Sequence, residues 1–123
     1  KVFPACKKSE IGIIIGSPYA SGILAAGSNY ESTYSYAPAN NEILKKVSSI
    51  EAICRKYDVP LKAASLQFPL FHPLVTSVIP GVIDKVQVLE NIQMIKHPIP
   101  LELWLDLKKN GLMHPEAPVT LSV

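Results

Sequence analysis

The chain is poor in cysteine: Cys6 and Cys54 stand alone among 123 residues, with no CxxC spacing and no histidine cluster beside them. That excludes the usual zinc patterns and gives no framework of disulfides. In a chain without a secretory signal, two such thiols read as reduced, buried cysteines of a cytoplasmic protein. No charge sign dominates either. Twelve Lys and Arg oppose ten Asp and Glu, a net charge of +2, and the basic residues are scattered. A nucleic-acid surface needs a basic stripe or patch, so none is expected. Long apolar runs are missing too. Ile11 to Leu24 is interrupted by three glycines and a proline. It falls short of the ~18 residues that a membrane-spanning helix requires, and no membrane partner is expected.

What is present is ordinary globular composition, 48% hydrophobic and 18% charged. The length suits one domain or part of one. The opening VFPACKKSE looks like the closing turns of a helix, with a lysine pair near its C-terminal end where cations suit the dipole. The sequence therefore reads as beginning in mid-fold. Ile11 to Ile15, overlapping the GIIIG of Gly12 to Gly16, is a short β-branched run of the kind found in strands covered on both faces. The turn-rich Ser17 to Gly22 follows, and a Gly/Ser/Asn/Tyr/Pro segment continues as a long loop to Asn40.

Asn40 and Asn41 are candidate N-caps. Behind them Ile43, Val47, Ile50, Cys54 and Tyr57 recur at steps of four and three, one face of a helix that Asp58-Val59-Pro60 ends. Pro60 can open the next helix, which Pro69 should kink or stop. Val75 to Ile79 is a second β-branched strand, closed by Pro80-Gly81. From Asp84 to Lys96, Val86, Leu89 and Ile92, with Val88 and Ile95, set out the apolar positions of another helix. Leu101, Trp104, Leu105 and Lys108 mark a last helix closed by Asn110-Gly111. Residues 112–123 are expected to form an extended tail. Two buried-type strands separated by helices make an α/β grammar, but two parallel strands leave open edges.

The residues that carry a family are GSPYASGIL (Gly16 to Leu24), RKYDVPLKAASLQFPL, and SVIPG with Gln87-Val88-Leu89-Glu90-Asn91 behind it. Taken together they resemble the C-terminal part of an aldo-keto reductase, nearest the sugar and pyridoxal dehydrogenases, over essentially the whole chain. The resemblance implies strands seven and eight of a (β/α)8 barrel with their helices, incomplete as a barrel by itself, since such barrels need ~250 residues. It implies an NAD(P)-dependent hydride transfer on a sugar, aldehyde or alcohol, with no metal. It also implies that the catalytic Asp, Tyr, Lys and His belong to the first half of the barrel. Tyr19, Lys62, His72 and Asp84 have no matching position in that tetrad, and no residue here is assigned to catalysis.

By the same resemblance, Ser17, Pro18, Ser21, Gly22 and Leu24 wrap the pyrophosphate and nicotinamide half of the cofactor. Ile79, Pro80 and Gly81 deliver it to a helix N-terminus suited to phosphate. Gln87 and Asn91 meet ribose or adenine, and Glu90 accepts from the adenine amine; the three share one helical face. Where relatives carry Arg after the glycine, Val82-Ile83-Asp84 stands here. Asp84 would repel a 2'-phosphate and accept from a free 2'-hydroxyl, with Lys85 partly compensating, which tilts the expectation towards NAD over NADP or towards a site that has decayed.

Other features have plainer readings. His72, His97 and His114 sit beside prolines and suit surface or capping roles. Trp104 suits the core. Tyr30, Tyr34 and Tyr36 either cover the cofactor like a strap or simply anchor the loop. A different class of function also fits the residues: a non-catalytic product that needs the N-terminal barrel half as a partner, or that pairs with a second copy of itself.

Overall fold

A computed structural model describes residues 2–29 and 31–120. Tyr30, one of the three loop tyrosines, and residues 121–123 of the expected tail lie outside them. The first helix, α1, spans Val2–Lys8, with Lys7 and Lys8 in its last turn. The first strand, β1, is Ile13–Gly16, shifted two residues from the start expected at Ile11. It pairs in parallel with β4, Val75–Ile79, in the register Ile13↔Val75, Ile14↔Ser77, Ile15↔Val78 and Gly16↔Ile79, with an irregularity between Ile13 and Ile14. A parallel pair needs a crossover, and the chain supplies it with helices.

The long segment after β1 is more ordered than its composition predicts. A 3-10 turn over Ala20–Gly22 runs into α2, Ile23–Ala26. Then β2 (Thr33–Tyr34) and β3 (Ala37–Pro38) form a small antiparallel hairpin. Its two turn residues, Ser35 and Tyr36, have φ of 51° and 63°, the left-handed pair that a tight hairpin requires. Tyr and Ser rarely adopt it, which is why propensity alone gave only a loop.

Asn40 caps α3, Asn41–Lys56, by accepting from the Ile43 N–H at 2.9 Å. Val47 and Cys54 face inward from it, as their spacing predicts. Pro60 is the N-cap of α4, Leu61–Gln67, and the chain tightens into a 3-10 turn at Phe68–Phe71, where Pro69 removes a donor. The last two helices are α5, Lys85–Lys96, and α6, Leu101–Lys109. Residues 112–120 carry no helix or strand.

The core sits among α3, α4 and α6, not against the sheet. Cys54, Val59, Ala63, Ala64, Leu103, Trp104 and Leu107 make one buried cluster, with Phe68 and Phe71 packed on it. Trp104 is 2% exposed, and Phe71 meets it edge-on at 5.3 Å between ring centroids. Each such large side chain contributes about 1.5–3 kcal/mol by leaving water. At the rim, Asp106 on α6 accepts from Lys56 Nζ at 2.5 Å and from Tyr57 Oη at 2.7 Å. Lys56, then Tyr57, hold the Asp106 carboxyl below its usual range. This pair joins α3 to α6 but is open to solvent and contributes little.

Helix α5 departs from its expected orientation. Val86, Leu89 and Ile92 were assigned by spacing to its packed stripe, yet they are 72%, 51% and 47% exposed. The residue of α5 that is buried is Asn91. Ile14 and Ile79, likewise expected under cover, are exposed on the two-stranded sheet. Spacing identifies which residues are apolar, but an apolar stripe is covered only where another layer stands opposite it. Among the described residues none does. The arrangement is α/β, as expected, and no closed barrel forms among the described residues.

Candidate functional site

Because β1 and β4 are parallel and in register, their C-terminal residues Gly16 and Ile79 lie side by side. The two segments singled out by sequence therefore leave the same edge of the sheet. Residues 17–24 follow β1, and residues 80–84 follow β4. The Ser17 N–H donates to the Ile79 carbonyl at 3.3 Å and joins them directly. In parallel α/β folds this edge is where ligands settle.

The loop after β1 is a tight left-handed turn. Ser17, Ala20, Ser21 and Gly22 have φ of 53°, 46°, 62° and 99°. Three of the four are not glycine, and such conformations persist only where the surroundings over-determine them; they gather at ligand clamps. Pro18 and Tyr19 are buried beneath the turn, while Ser17 is exposed. The Tyr19 carbonyl accepts from the Gly22 and Leu24 N–H groups at 2.9 and 3.1 Å. The hairpin leans on the turn: Thr33 Oγ1 donates to the Ser21 carbonyl at 2.8 Å, and the Tyr36 N–H donates to Ser21 Oγ at 3.2 Å. Tyr36 itself is exposed. Leu24 is half-buried, and Ser65 Oγ reaches its carbonyl at 3.4 Å.

On the other wall, Pro80 is half-buried and Gly81 exposed. Asp84 is the N-cap of α5, its Oδ1 accepting from the Gln87 N–H at 2.8 Å. Gln87 Oε1 reaches back to the Ile83 N–H at 3.1 Å. The two side chains form a reciprocal cap, so each has one polar atom already engaged in holding the helix start. The three residues expected on one face do share a side of α5, but they do different things. Gln87 caps. Glu90 pairs with Lys62 Nζ at 2.6 Å, and Asn91 turns inward to accept from Tyr19 Oη at 2.6 Å.

The backbone around this edge is open enough for a ligand. A methyl group added at Gly16, Gly22 or Gly81 would meet nothing within 4 Å. Serine hydroxyls at Ser17 and Ser21 and three bare glycines beside the exposed start of α5 suit a phosphate-bearing group. The cap on α5 leaves the second Asp84 oxygen free to accept from a hydroxyl.

Two residues of the site were not assigned to it by sequence: Tyr19 and Lys62. A tyrosine surrounded by Ser, Pro, Ala and Gly reads as a surface loop residue, and only its burial reveals the bond to Asn91. Lys62 lies 5.5 Å from the Tyr19 ring centroid, above it. Two of the three histidines, in contrast, cap their own turns. His72 Nδ1 accepts from the Leu74 N–H and His114 Nδ1 from the Glu116 N–H, each at 3.2 Å. Among the described residues, no three His, Cys, Asp or Glu gather as metal ligands, and no helix is long and apolar enough to cross a membrane.

Comparison with known proteins identifies the family. The chain is 37% identical over 110 residues to the pyridoxal 4-dehydrogenase of Microbacterium luteolum, covering 89% of this chain and 32% of that protein. It is 37% identical over 114 residues to a D-threo-aldose 1-dehydrogenase from a Pseudomonas species, covering 92% of this chain and 35% of the relative. The chain thus spans about a third of the length of either relative. The pattern of the Aldo/keto reductase family matches residues 1–109, nearly all of the sequence, and the chain belongs to that family.

Proposed function

We propose that this chain is the C-terminal, cofactor-holding part of an NAD(P)-dependent aldo-keto reductase that oxidises or reduces a sugar, aldehyde or alcohol. The observation that carries the reading is the in-register parallel pair Gly16↔Ile79, which sets both family segments on one sheet edge. Ser17, Pro18, Ser21, Gly22 and Leu24 would hold the pyrophosphate and nicotinamide side. Ile79, Pro80 and Gly81 would present the phosphates to the start of α5. Gln87, Glu90 and Asn91 would serve the adenosine side. The bound nicotinamide supplies the hydride; these residues orient it and shield one side of it from water. Asp84 favours a free 2'-hydroxyl over a 2'-phosphate, so NAD is the preferred cofactor. The two free thiols suit a cytoplasmic setting.

Titration of the full chain with NADH and NADPH, followed by nucleotide fluorescence, tests this. Saturable binding with NADH tighter is the expected result. Absence of binding to both dinucleotides overturns the reading.

A second reading has its own observation. Ile83, Val86 and Leu89 on one side, with Ile14 and Ile79 on the sheet, are exposed apolar residues that a single copy leaves uncovered. On that reading the chain is not catalytic alone and requires the remaining barrel as a partner. Oxidation of pyridoxal or an aldose with reduction of NAD+ or NADP+ by this chain alone, above background, would sink it.

A further inference from the structure

Besides the backbone bond from Ser17 to Ile79, the two walls of the proposed dinucleotide site are joined by a buried side-chain bond. Tyr19 belongs to the loop after β1 and is 7% exposed; Asn91 belongs to α5 and is 8% exposed. The hydroxyl of the first donates to Oδ1 of the second at 2.6 Å across 72 residues of sequence. A third element closes around them. Lys62 of α4 stands 5.5 Å from the Tyr19 ring centroid and pairs with Glu90, the neighbour of Asn91. Among the described residues no fully buried side-chain polar atom lacks a partner, those of Tyr19 and Asn91 included. A satisfied buried network specifies one geometry.

Tyr19 also sets the conformation of the loop it comes from. Its carbonyl receives the Gly22 and Leu24 N–H groups, and the left-handed residues Ser17, Ala20 and Ser21 surround it. Those backbone angles need an anchor to persist. The anchor is a ring packed beneath the turn with its hydroxyl tied to the opposite wall.

We propose that Tyr19 is a positioning residue that rivets the phosphate-side loop to the adenosine-side helix through Asn91, so that both halves of a dinucleotide meet walls held in fixed relation. The proposal rests on the dinucleotide reading above. Burial, and secondarily the charge of Glu90, push the Tyr19 phenol up to about 12, so its hydroxyl keeps the proton that makes this bond across the physiological range.

The test uses the full chain and two probes. Tyr19→Phe keeps the ring and removes the hydroxyl. Its NADH affinity should fall several-fold, up to about tenfold, the most that one net hydrogen bond can pass on by holding the walls in place before binding. Reduced nicotinamide mononucleotide, which has no adenosine half, should keep its wild-type affinity. Asn91→Ala should weaken NADH at least as much, and adding Tyr19→Phe to it should cost nothing further. Unchanged NADH affinity in Tyr19→Phe, equal losses for both probes, or additive losses overturn the proposal. Should Tyr19→Phe fail to fold, wild-type chain decides instead. AMP, reaching only the adenosine side, should slow hydrogen exchange at the Gly22 and Leu24 amides, and unchanged exchange overturns the rivet. If the wild-type chain binds NADH but Tyr19 has no effect, only the rivet fails. If it binds no dinucleotide, the parent reading and the rivet fall together.

Discussion

Asp84 performs two tasks that a pair of substitutions separates. Its Oδ1 caps α5 by accepting from the Gln87 N–H, and on the proposed dinucleotide reading its charge faces the 2'-phosphate of NADPH. Asparagine caps as well as aspartate, whereas alanine does not, at a cost of about 1 kcal/mol. Asp84→Asn therefore removes the charge and keeps the cap; Asp84→Ala removes both. Asp84 is exposed, so its repulsion acts through water. A unit charge ~5–8 Å from a phosphate of charge ~−1.5 to −2 costs roughly 1 kcal/mol at a dielectric near that of water. Removing it should tighten NADPH about fivefold, while NADH, whose free 2'-hydroxyl loses an acceptor, should weaken rather than gain. Both variants should show this gain, and raising salt from low ionic strength should shrink it. Only Asp84→Ala should lose stability to urea. Fluorescence titration and equilibrium denaturation read the two effects independently. An unchanged NADPH-to-NADH ratio in both variants refutes the electrostatic reasoning, and equal destabilisation of the two refutes the cap.

Other consequences are as specific. Trp104→Ala empties the centre of the core and should destabilise the chain by about 3–5 kcal/mol in urea or guanidinium unfolding. Gly22→Ala places a side chain at φ 99°, where the cost of about 1–2 kcal/mol is backbone strain alone, since space at that position is open; NADH affinity should fall with it. Burial first, then Glu51, push the Cys54 thiol up to about 11. Raised above its unfolded value near 9, this group contributes stability that is complete below that value and fades as pH climbs towards 11. Melting temperature should therefore decline through that window in the wild type and decline less in Cys54→Ala. At pH 8 a thiol reagent should modify Cys6 in the native chain and reach Cys54 only on unfolding.

Local rules in the sequence determined much of this molecule. The Asn40 cap, the stripe from Ile43 to Tyr57, and the β-branched strand closed by Pro80-Gly81 are decided within a few residues of themselves, by capping, periodicity and proline. The same holds for Trp104, which burial on an amphipathic helix draws into the core. The resemblance of GSPYASGIL and SVIPG to one family was equally legible, because both are contiguous stretches. Other features depend on what stands opposite. Val86, Leu89 and Ile92 are spaced as a packing stripe, but packing needs a second surface, and the structure leaves them exposed. The Ser35-Tyr36 turn contradicts propensity and is held by bonds to Ser21 from residues of the hairpin, fifteen and twelve positions away. Tyr19 and Asn91 are separated by 72 residues, and nothing local to either predicts their bond. Only the parallel register of β1 and β4 brings the two walls to one edge. Only burial there makes a loop tyrosine a side-chain bond between them.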